Sequence, residues 1–351
     1  MNLKLIDAFL EDDYAKINRD LPKTMALLIQ RRAGRSWHKH GSFKDHLFGI
    51  YRALTLWGQP NDVAMCGLFH SVYSNEYVDL ALFDPIEGRS VLADFLNPQL
   101  EQMIHLFCNI PRTEFVKQLL QPNCNPTEGM LLRGKDNVKT ELTPLQVAQF
   151  LIITIADLIE HWHSWPEDTM AKYPLTVSIP MQAAWTASLW PRPLRPRSSA
   201  MALASQLGRH LPALEQKIPP IFNKCSMTLS AQDESVAMGL YWQVVNLNIP
   251  TISPEHAKNL LLQSIALNPF VAEPRLLLAQ ILYVDGMFEQ GLLHARAGLQ
   301  LICDWGMSWD KRVTWGGWIH WARLLCQKGE QAYWPNTLSD HNNLGLINQD
   351  S

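Results

Sequence analysis

Residues 38–76 decide how this chain folds, and they read HKHGSFKDHLFGIYRALTLWGQPNDVAMCGLFHSVYSNE. Apolar residues recur there every three or four positions in two runs, which predicts two amphipathic helices. Gly58 ends the first run, and Pro60 prevents its continuation. The segment is therefore expected to form a pair of adjacent antiparallel helices.

Two histidines of this helix pair are candidate metal ligands. His46 heads the first helix, and His70 lies at the end of the apolar stripe of the second. Neutral imidazole commonly binds zinc, iron or nickel, and imidazoles on adjacent helices can converge on one ion. A histidine on an apolar helix face is also commonly a hydrogen-bonded core residue. Both interpretations stay open from the residues alone.

A third helix adds a carboxylate. Residues 143–165 read TPLQVAQFLIITIADLIEHWHSW, the most apolar helix of the sequence, with Asp157 among Ile and Leu residues. Burying a carboxylate is costly unless an ion or hydrogen bonds compensate it. The partner is either an ion shared with His46 and His70, or a backbone amide or Arg52.

These motifs resemble the HD superfamily of metal-dependent phosphohydrolases, in particular the branch related to guanosine tetraphosphate hydrolases. His46 matches the family's first histidine, CGLFHS at residues 66–71 matches the run ending in its His-Asp pair, and TIADLIEH at 154–161 matches the segment with its final Asp. The resemblance covers roughly residues 25–165. It implies an HD-like helical bundle in which His46, His70 and Asp157 bind a divalent metal, Mn, Fe or Zn.

One position departs from that pattern. Ser71 stands where the family has the Asp of its His-Asp pair, and Ser74 and Asn75 replace two further acids, which leaves Glu76 nearby. A serine hydroxyl is a neutral and weak ligand, so the change removes negative charge from the site. The motif HSVY at residues 70–73 is closest to an uncharacterised HD-like branch with a His-Ser-x-Tyr signature.

Composition limits the remaining classes. With 351 residues and 47% hydrophobic content, the chain can bury more than one core. Its net charge of −3 argues against nonspecific nucleic-acid binding. The six cysteines form no C-x-x-C pair, and no run of 18 apolar residues or signal peptide is present. A soluble, cytoplasmic protein that does not bind membranes is expected.

The chain is expected to contain two helical domains. Residues 1–190 form the HD-like domain, and the Pro- and Arg-rich stretch at 191–200 is the expected linker. Residues 201–332 contain recurrent helices that form hairpins, and the polar stretch 333–351 is the expected flexible tail. A β-hairpin is predicted within the stretch 130–144, with its turn at 134–137, as a candidate lid or substrate loop in an otherwise all-α protein.

Part of the second domain resembles tetratricopeptide repeats, which have a period of about 34 residues. One unit places Ala257, Leu261, Ser264 and Pro269 at the second-helix and closing-proline positions, and the same slots are filled 34 residues later, without the closing proline, by Gly291, Ala295, Gly298 and Cys303. Such arrays commonly bind a peptide on their concave face. The resemblance therefore implies a peptide or protein partner there.

Two classes of function follow. One is an HD-like metal enzyme, with His40 or Glu76 as the proton-transfer residue and a small phosphorylated substrate, or an oxidisable organic substrate if the metal is iron. The other is a non-catalytic scaffold formed by a decayed HD-like domain and the repeats. The sequence contains no P-loop, dinucleotide fingerprint or G-x-S-x-G motif, so those enzyme classes are excluded.

Overall fold

The protein is predominantly helical, which confirms the predicted all-α class. A computed structural model describes residues 2–38, 41–134, 138–160, 200–214, 217–221, 229–246 and 253–335. The described residues contain fifteen α-helices and two small antiparallel sheets. They divide into two compact units, here called the N-terminal unit (its described residues between 2 and 160 and between 200 and 221) and the C-terminal unit (described over 229–246 and 253–335).

The N-terminal unit contains ten of the helices. They are α1 Leu3–Leu10, α2 Tyr14–Ile17, α3 Leu21–Gln30, α4 Phe43–Leu56, α5 Asn61–Leu68, α6 Gly88–Phe95, α7 Pro98–Asn109, α8 Arg112–Leu119, α9 Pro144–Glu160 and α10 Ala200–Gly208. Short 3-10 turns follow α3 and α10 and precede the second hairpin, at Ala33–Arg35, Leu211–Leu214 and Pro126–Glu128.

The strands form two hairpins. In the first, β1 Trp37–His38 pairs with β2 Gly41–Ser42. In the second, β3 Met130–Arg133 pairs with β4 Lys139–Leu142 in the register Met130 to Leu142, which confirms the predicted hairpin. Of the turn predicted at 134–137, residues 135–137 lie outside the described part of the chain.

The core of the N-terminal unit lies where α4, α5 and α9 pack together. The apolar positions of α9 are almost all buried, which explains why this helix is so rich in Ile and Leu. Gly67 lets α5 approach α4 closely, because a Cβ there would lie 2.3 Å from Leu54 Cδ1. The three helices that carry the predicted ligands therefore belong to one buried layer.

The ends of α4 and α5 differ from the expected ones. Helix α4 begins at Phe43, a turn before His46, because Ser42 and Asp45 form a capping box. Helix α5 ends at Leu68, so His70 lies in the turn after the helix and not on its face. The Ser and Asp of the sequence S-F-K-D at 42–45 have the spacing of a capping box, which indicates this earlier helix start.

The domain boundary also differs. The sequence placed residue 201 onward in the second domain, whereas α10 packs against α9 in the N-terminal unit. Its residues Met201, Ala204 and Leu207 are buried there, and His210 Nε2 lies 2.7 Å from Leu119 O. Residues 191–199 of the predicted linker and 336–351 of the predicted tail lie outside the described residues.

The described part of the C-terminal unit contains five helices, and each packs against the next one in sequence. They are α11 Ala231–Asn246, α12 Pro254–Leu267, α13 Glu273–Val284, α14 Phe288–Trp305 and α15 Trp315–Glu330. Gly298 of α14 brings that helix close to α13, because a Cβ there would lie 2.5 Å from Leu276 Cδ2. The small residues at the repeat positions thus permit close helix contacts without any ligand.

Within the described part of the chain, none of the helices has the length and apolar character needed to cross a bilayer.

Candidate metal centre

Three side chains from distant parts of the N-terminal unit converge on one point. His46 comes from α4, His70 from the turn after α5, and Asp157 from α9. The Nε2 atoms of His46 and His70 are 3.3 Å apart. Each of them lies 3.6 Å from Asp157 Oδ1. The structure thus brings together all three residues that the sequence predicted as metal ligands, in a cluster that could hold a metal ion.

Hydrogen bonds on the far side of each imidazole fix which nitrogen faces the centre. His46 Nδ1 lies 2.5 Å from Glu160 Oε2, and His70 Nδ1 lies 2.9 Å from Gly67 O. In the neutral ring the Nδ1 proton is donated to these oxygens, which leaves the lone pair of each Nε2 directed at the other ligands. Such a bond from a ligand histidine to a carboxylate or carbonyl is typical of metal sites.

The charge state of His70 suits a ligand. Burial lowers the pKa of His70 to about 3, although the nearby Asp157 carboxylate opposes the shift. His70 is therefore neutral near pH 7, the form in which imidazole binds metals.

The spacing of the three donor atoms fits a single ion. Ligands at about 2.0 to 2.2 Å from a tetrahedral zinc ion lie about 3.3 to 3.6 Å from one another. The observed separations of 3.3, 3.6 and 3.6 Å are close to this range. With both rings neutral and the proton on Nδ1, two imidazole lone pairs and a carboxylate oxygen face one another at these distances, and a cation between them would remove their repulsion. The donor set is thus chemically suited to a divalent ion.

Asp157 is held by an arginine, although not the one that the sequence suggested. Arg112 Nη1 donates to Asp157 Oδ2 at 3.1 Å, while Oδ1 is the oxygen that faces the histidines. Burial lowers the pKa of Arg52 to about 10, although the charge of nearby Glu160 opposes the shift. The arginine that binds Asp157 is therefore Arg112, whereas the sequence had left Arg52 open as one alternative to an ion.

Ser71, the residue that departs from the HD pattern, has a structural partner. It is buried, and its Oγ accepts a hydrogen bond from Asn75 Nδ2 at 2.6 Å. Tyr73, the last residue of the His-Ser-x-Tyr motif, donates to Glu101 at 3.0 Å, and Arg89 binds the same carboxylate. These bonds hold the 70–75 segment in place.

The two predicted proton-transfer residues have different outcomes. Glu76 is exposed and lies outside the three-residue cluster. Its Oε2 accepts from Thr113 N, so it caps the first turn of α8. His40 lies outside the described residues.

Three residues around the centre were not identified from the sequence. Glu160 follows Asp157 by three positions and faces the same side of α9, which is a signal that could have been used. His38 is buried, with its ring centroid 4.5 Å from that of His46. Arg112 lies in a segment where no helix was predicted, and no sequence pattern pointed to it.

A pocket of about 400 Å³ lies beside the segment that follows His70. Its wall includes Cys108, whose Sγ lies 3.2 Å from His70 O, and Asn75, which binds Ser71. Among the described residues, no Lys or Arg lines it. Other lining residues are Tyr73, Glu76, Ile110, Val138 and Thr140.

A family model described as a domain of unknown function (DUF6817) matches residues 27–112, less than half of the chain. No curated protein and no solved structure matches the chain. The matched stretch contains His46 and His70 and ends before Asp157.

Proposed function

We propose that this protein is a metal-dependent hydrolase with a single divalent ion bound by His46, His70 and Asp157. One observation carries the proposal: two imidazole Nε2 atoms and a carboxylate oxygen lie 3.3 to 3.6 Å apart, with both Nδ1 atoms engaged elsewhere. The resemblance to the HD superfamily in residues 46–71 and 154–161 supports the same ligands. HD-like identity is part of the proposal.

Three protein ligands leave coordination positions open, as catalytic sites require. A divalent ion at this position would lower the pKa of a bound water and supply a hydroxide nucleophile near neutral pH. The protein's own groups orient the ligands: Glu160 and the Gly67 carbonyl hold the two imidazole protons away from the centre. Because His70 is neutral, no proton has to leave it before the ion binds.

The substrate is proposed to be a small molecule that enters beside the 70–75 segment. A small phosphorylated substrate follows from the HD resemblance. The pocket described above favours a neutral or cationic polar group instead, because its described lining offers the Glu76 carboxylate and no basic side chain. We therefore propose that both small phosphorylated substrates and substrates with a neutral or cationic polar group be tested.

A second candidate is an iron-dependent oxygenase, since two histidines and one carboxylate are also the ligand set of non-haem Fe(II) oxygenases. The third is a scaffold that binds no metal and presents its C-terminal helices to a peptide. The described cysteines are free thiols, which suits the cytoplasm as the proposed location.

Elemental analysis of the protein purified without chelator separates these functions. The hydrolase is expected to hold close to one equivalent of Zn or Mn, and to cleave a phosphoester or amide substrate only when the ion is present. One equivalent of Fe, with oxygen consumption, would support the oxygenase. Absence of bound metal, together with no uptake of added Zn, Mn or Fe, would leave the scaffold.

A further inference from the structure

Arg112 occupies a special position next to the metal centre. It is the first residue of α8, and it is only 3% exposed. Its guanidinium donates from Nη1 to Asp157 Oδ2 at 3.1 Å and from Nη2 to the backbone oxygen of His70 at 2.6 Å. One side chain thus contacts two of the three ligand residues.

We infer that Arg112 is the positioning residue of this centre, which sets Asp157 and His70 at the spacing that one ion requires. The inference rests on the proposed metal site and deepens it. Nothing in the resemblance to the HD superfamily assigns a role to this position.

The first step of the argument concerns Asp157. A carboxylate can bind a metal through one or both oxygens. Because Arg112 donates to Oδ2, only Oδ1 faces the histidines, at 3.6 Å from each Nε2. Arg112 therefore presents Asp157 as a ligand through a single oxygen.

The second step concerns His70, which lies beyond the end of α5 and is not held by a helix backbone. Its backbone oxygen receives two bonds, from Arg112 Nη2 at 2.6 Å and from Cys108 Sγ at 3.2 Å. The planar guanidinium donates in two fixed directions, so it sets the His70 backbone relative to the Asp157 carboxylate. A lysine has no such fork.

The third step concerns Arg112 itself. The guanidinium lies over the ring of Phe107, 4.3 Å from its centroid, and both residues are buried. Stacking against an aromatic ring restrains the plane of the guanidinium. The two donors are therefore held in place before an ion arrives.

Positioning and simple charge balance predict opposite effects on metal affinity. If Arg112 only contributed a positive charge, its removal would strengthen the binding of a cation. If it positions the ligands, its removal weakens binding, by roughly 10- to 100-fold for groups that orient metal ligands. Arg112→Lys, which keeps the charge and loses the fork, is then also expected to weaken binding.

The test uses the full chain and Zn²⁺ or Mn²⁺ alone as the probe. Metal affinity by competition titration and the metal-induced rise in melting temperature are measured for wild type, Arg112→Met and Arg112→Lys. Arg312→Gln in the C-terminal unit is the matched control, because Arg312 also pairs with a carboxylate, that of Asp310, and its guanidinium also lies over an aromatic ring, that of Trp242. A purely structural loss lowers the melting temperature with and without metal equally and leaves the metal-induced rise unchanged.

The expected result is a 10- to 100-fold weaker affinity for Arg112→Met, a smaller loss for Arg112→Lys and none for Arg312→Gln. Wild-type affinity or tighter binding in Arg112→Met would overturn the inference while leaving the metal site intact. If wild type binds neither ion, the proposed metal site fails, and this inference fails with it.

Discussion

The Nε2 atoms of His46 and His70 lie 3.3 Å apart, and each Nδ1 lies within hydrogen-bond distance of an oxygen of another residue, Glu160 or Gly67. With both rings neutral and the proton on Nδ1, the two Nε2 lone pairs face each other. The fold holds them there through Glu160 and Gly67. A cation at this point would replace repulsion by coordination, so metal binding and folding stability should be linked.

Ser71 offers a direct test of that link. Ser71→Asp places a carboxylate next to His70, where the proposed HD resemblance has an acid, and we expect it to strengthen metal binding, because a further anionic ligand adds charge to the site. His70→Ala removes one of three ligands and should abolish the response. Thermal melts of wild type and both variants, with and without Mn²⁺, measure this. The metal-induced rise should be largest for Ser71→Asp and absent for His70→Ala.

A buried carboxylate also destabilises a protein in its own right, so a control is needed. Ser205 is buried in α10 of the same unit, where its Oγ donates to Ala202 O. Ser205→Asp should lower the melting temperature without recovery on addition of Mn²⁺. Equal and negligible metal responses in wild type, Ser71→Asp and His70→Ala would refute the site.

The C-terminal unit should lose stability between mildly acidic and neutral pH because of Glu273. This residue is fully buried, and its Oε1 accepts from the backbone N–H groups of Trp309 and Asp310 at 2.6 and 3.0 Å. Burial raises the pKa of Glu273 to about 7, although the backbone donors oppose the shift. The folded state therefore favours the protonated form. Its contribution to stability is present below pH 4.5 and is lost as the pH rises through 7.

Glu273→Gln removes this titration and keeps an oxygen that can accept the same backbone bonds. We expect the variant to gain stability relative to wild type as the pH rises from 4.5 to 8, by on the order of 1 to 3 kcal/mol. Chemical denaturation of the fragment 229–351 at several pH values measures the difference. Glu289→Gln, at an exposed position of α14, controls for the loss of a negative charge. A difference that does not change with pH would contradict the role of burial.

Local patterns predicted most helices, because apolar spacing and caps depend on neighbouring residues. They failed where an element is stabilised by distant contacts. Helix α8 has few apolar residues and was not predicted; Glu76 accepts a bond from its first turn, and Arg112 reaches Asp157 from it. Likewise, α10 follows a Pro- and Arg-rich stretch, and only its burial against α9 shows which unit contains it.

Only part of the site was predicted, because local patterns again do not show contacts between distant residues. His46, His70 and Asp157 stood out because polar residues in apolar helices need partners. Arg112 and Glu160, which orient these ligands, did not stand out in the sequence. Arg112 lies 45 residues from Asp157 in the sequence and Glu160 lies 114 residues from His46, so no local pattern connects either pair.

Replacing two helical glycines of the C-terminal unit by Ala should have opposite effects on its stability, because only one of them is closely packed. A Cβ at Gly291 would lie 2.4 Å from Tyr283 Cε1 and 3.1 Å from Ala279 O. The Tyr283 ring cannot easily move, because its hydroxyl donates to Leu325 O at 2.9 Å. Gly291→Ala should therefore destabilise the unit by about 1 to 3 kcal/mol through overpacking.

At Gly239 of α11, nothing lies within 4 Å of the added Cβ. Gly239→Ala should then stabilise the unit by up to about 1 kcal/mol, the difference in helix propensity. Urea denaturation of the two variants and wild type measures both effects. A stabilising effect of Gly291→Ala would show that α13 and α14 are not packed as closely as the structure has them.

The corrected domain boundary predicts which fragments fold alone. The predicted linker at 191–200 suggested that a folded fragment would begin near residue 198. Helix α10 contradicts this, because its apolar residues are buried against α9 in the N-terminal unit. We expect residues 229–351 to fold as a monomer with a cooperative melt, whereas residues 198–351 expose the α10 face and bind a hydrophobic dye or aggregate.

Two N-terminal fragments, with and without α10, test the same contact between α9 and α10. Residues 1–221 should melt cooperatively, whereas residues 1–190 lack α10 and leave the surface of α9 that it covers open to water. Burial of apolar surface stabilises by roughly 25 cal/mol per Å², so the loss of a whole helix should lower the melting temperature by many degrees. Circular dichroism melts of the four fragments measure this. Equal melting of 1–190 and 1–221, with a soluble and cooperative 198–351, would place α10 with the C-terminal helices and restore the boundary that the sequence predicted.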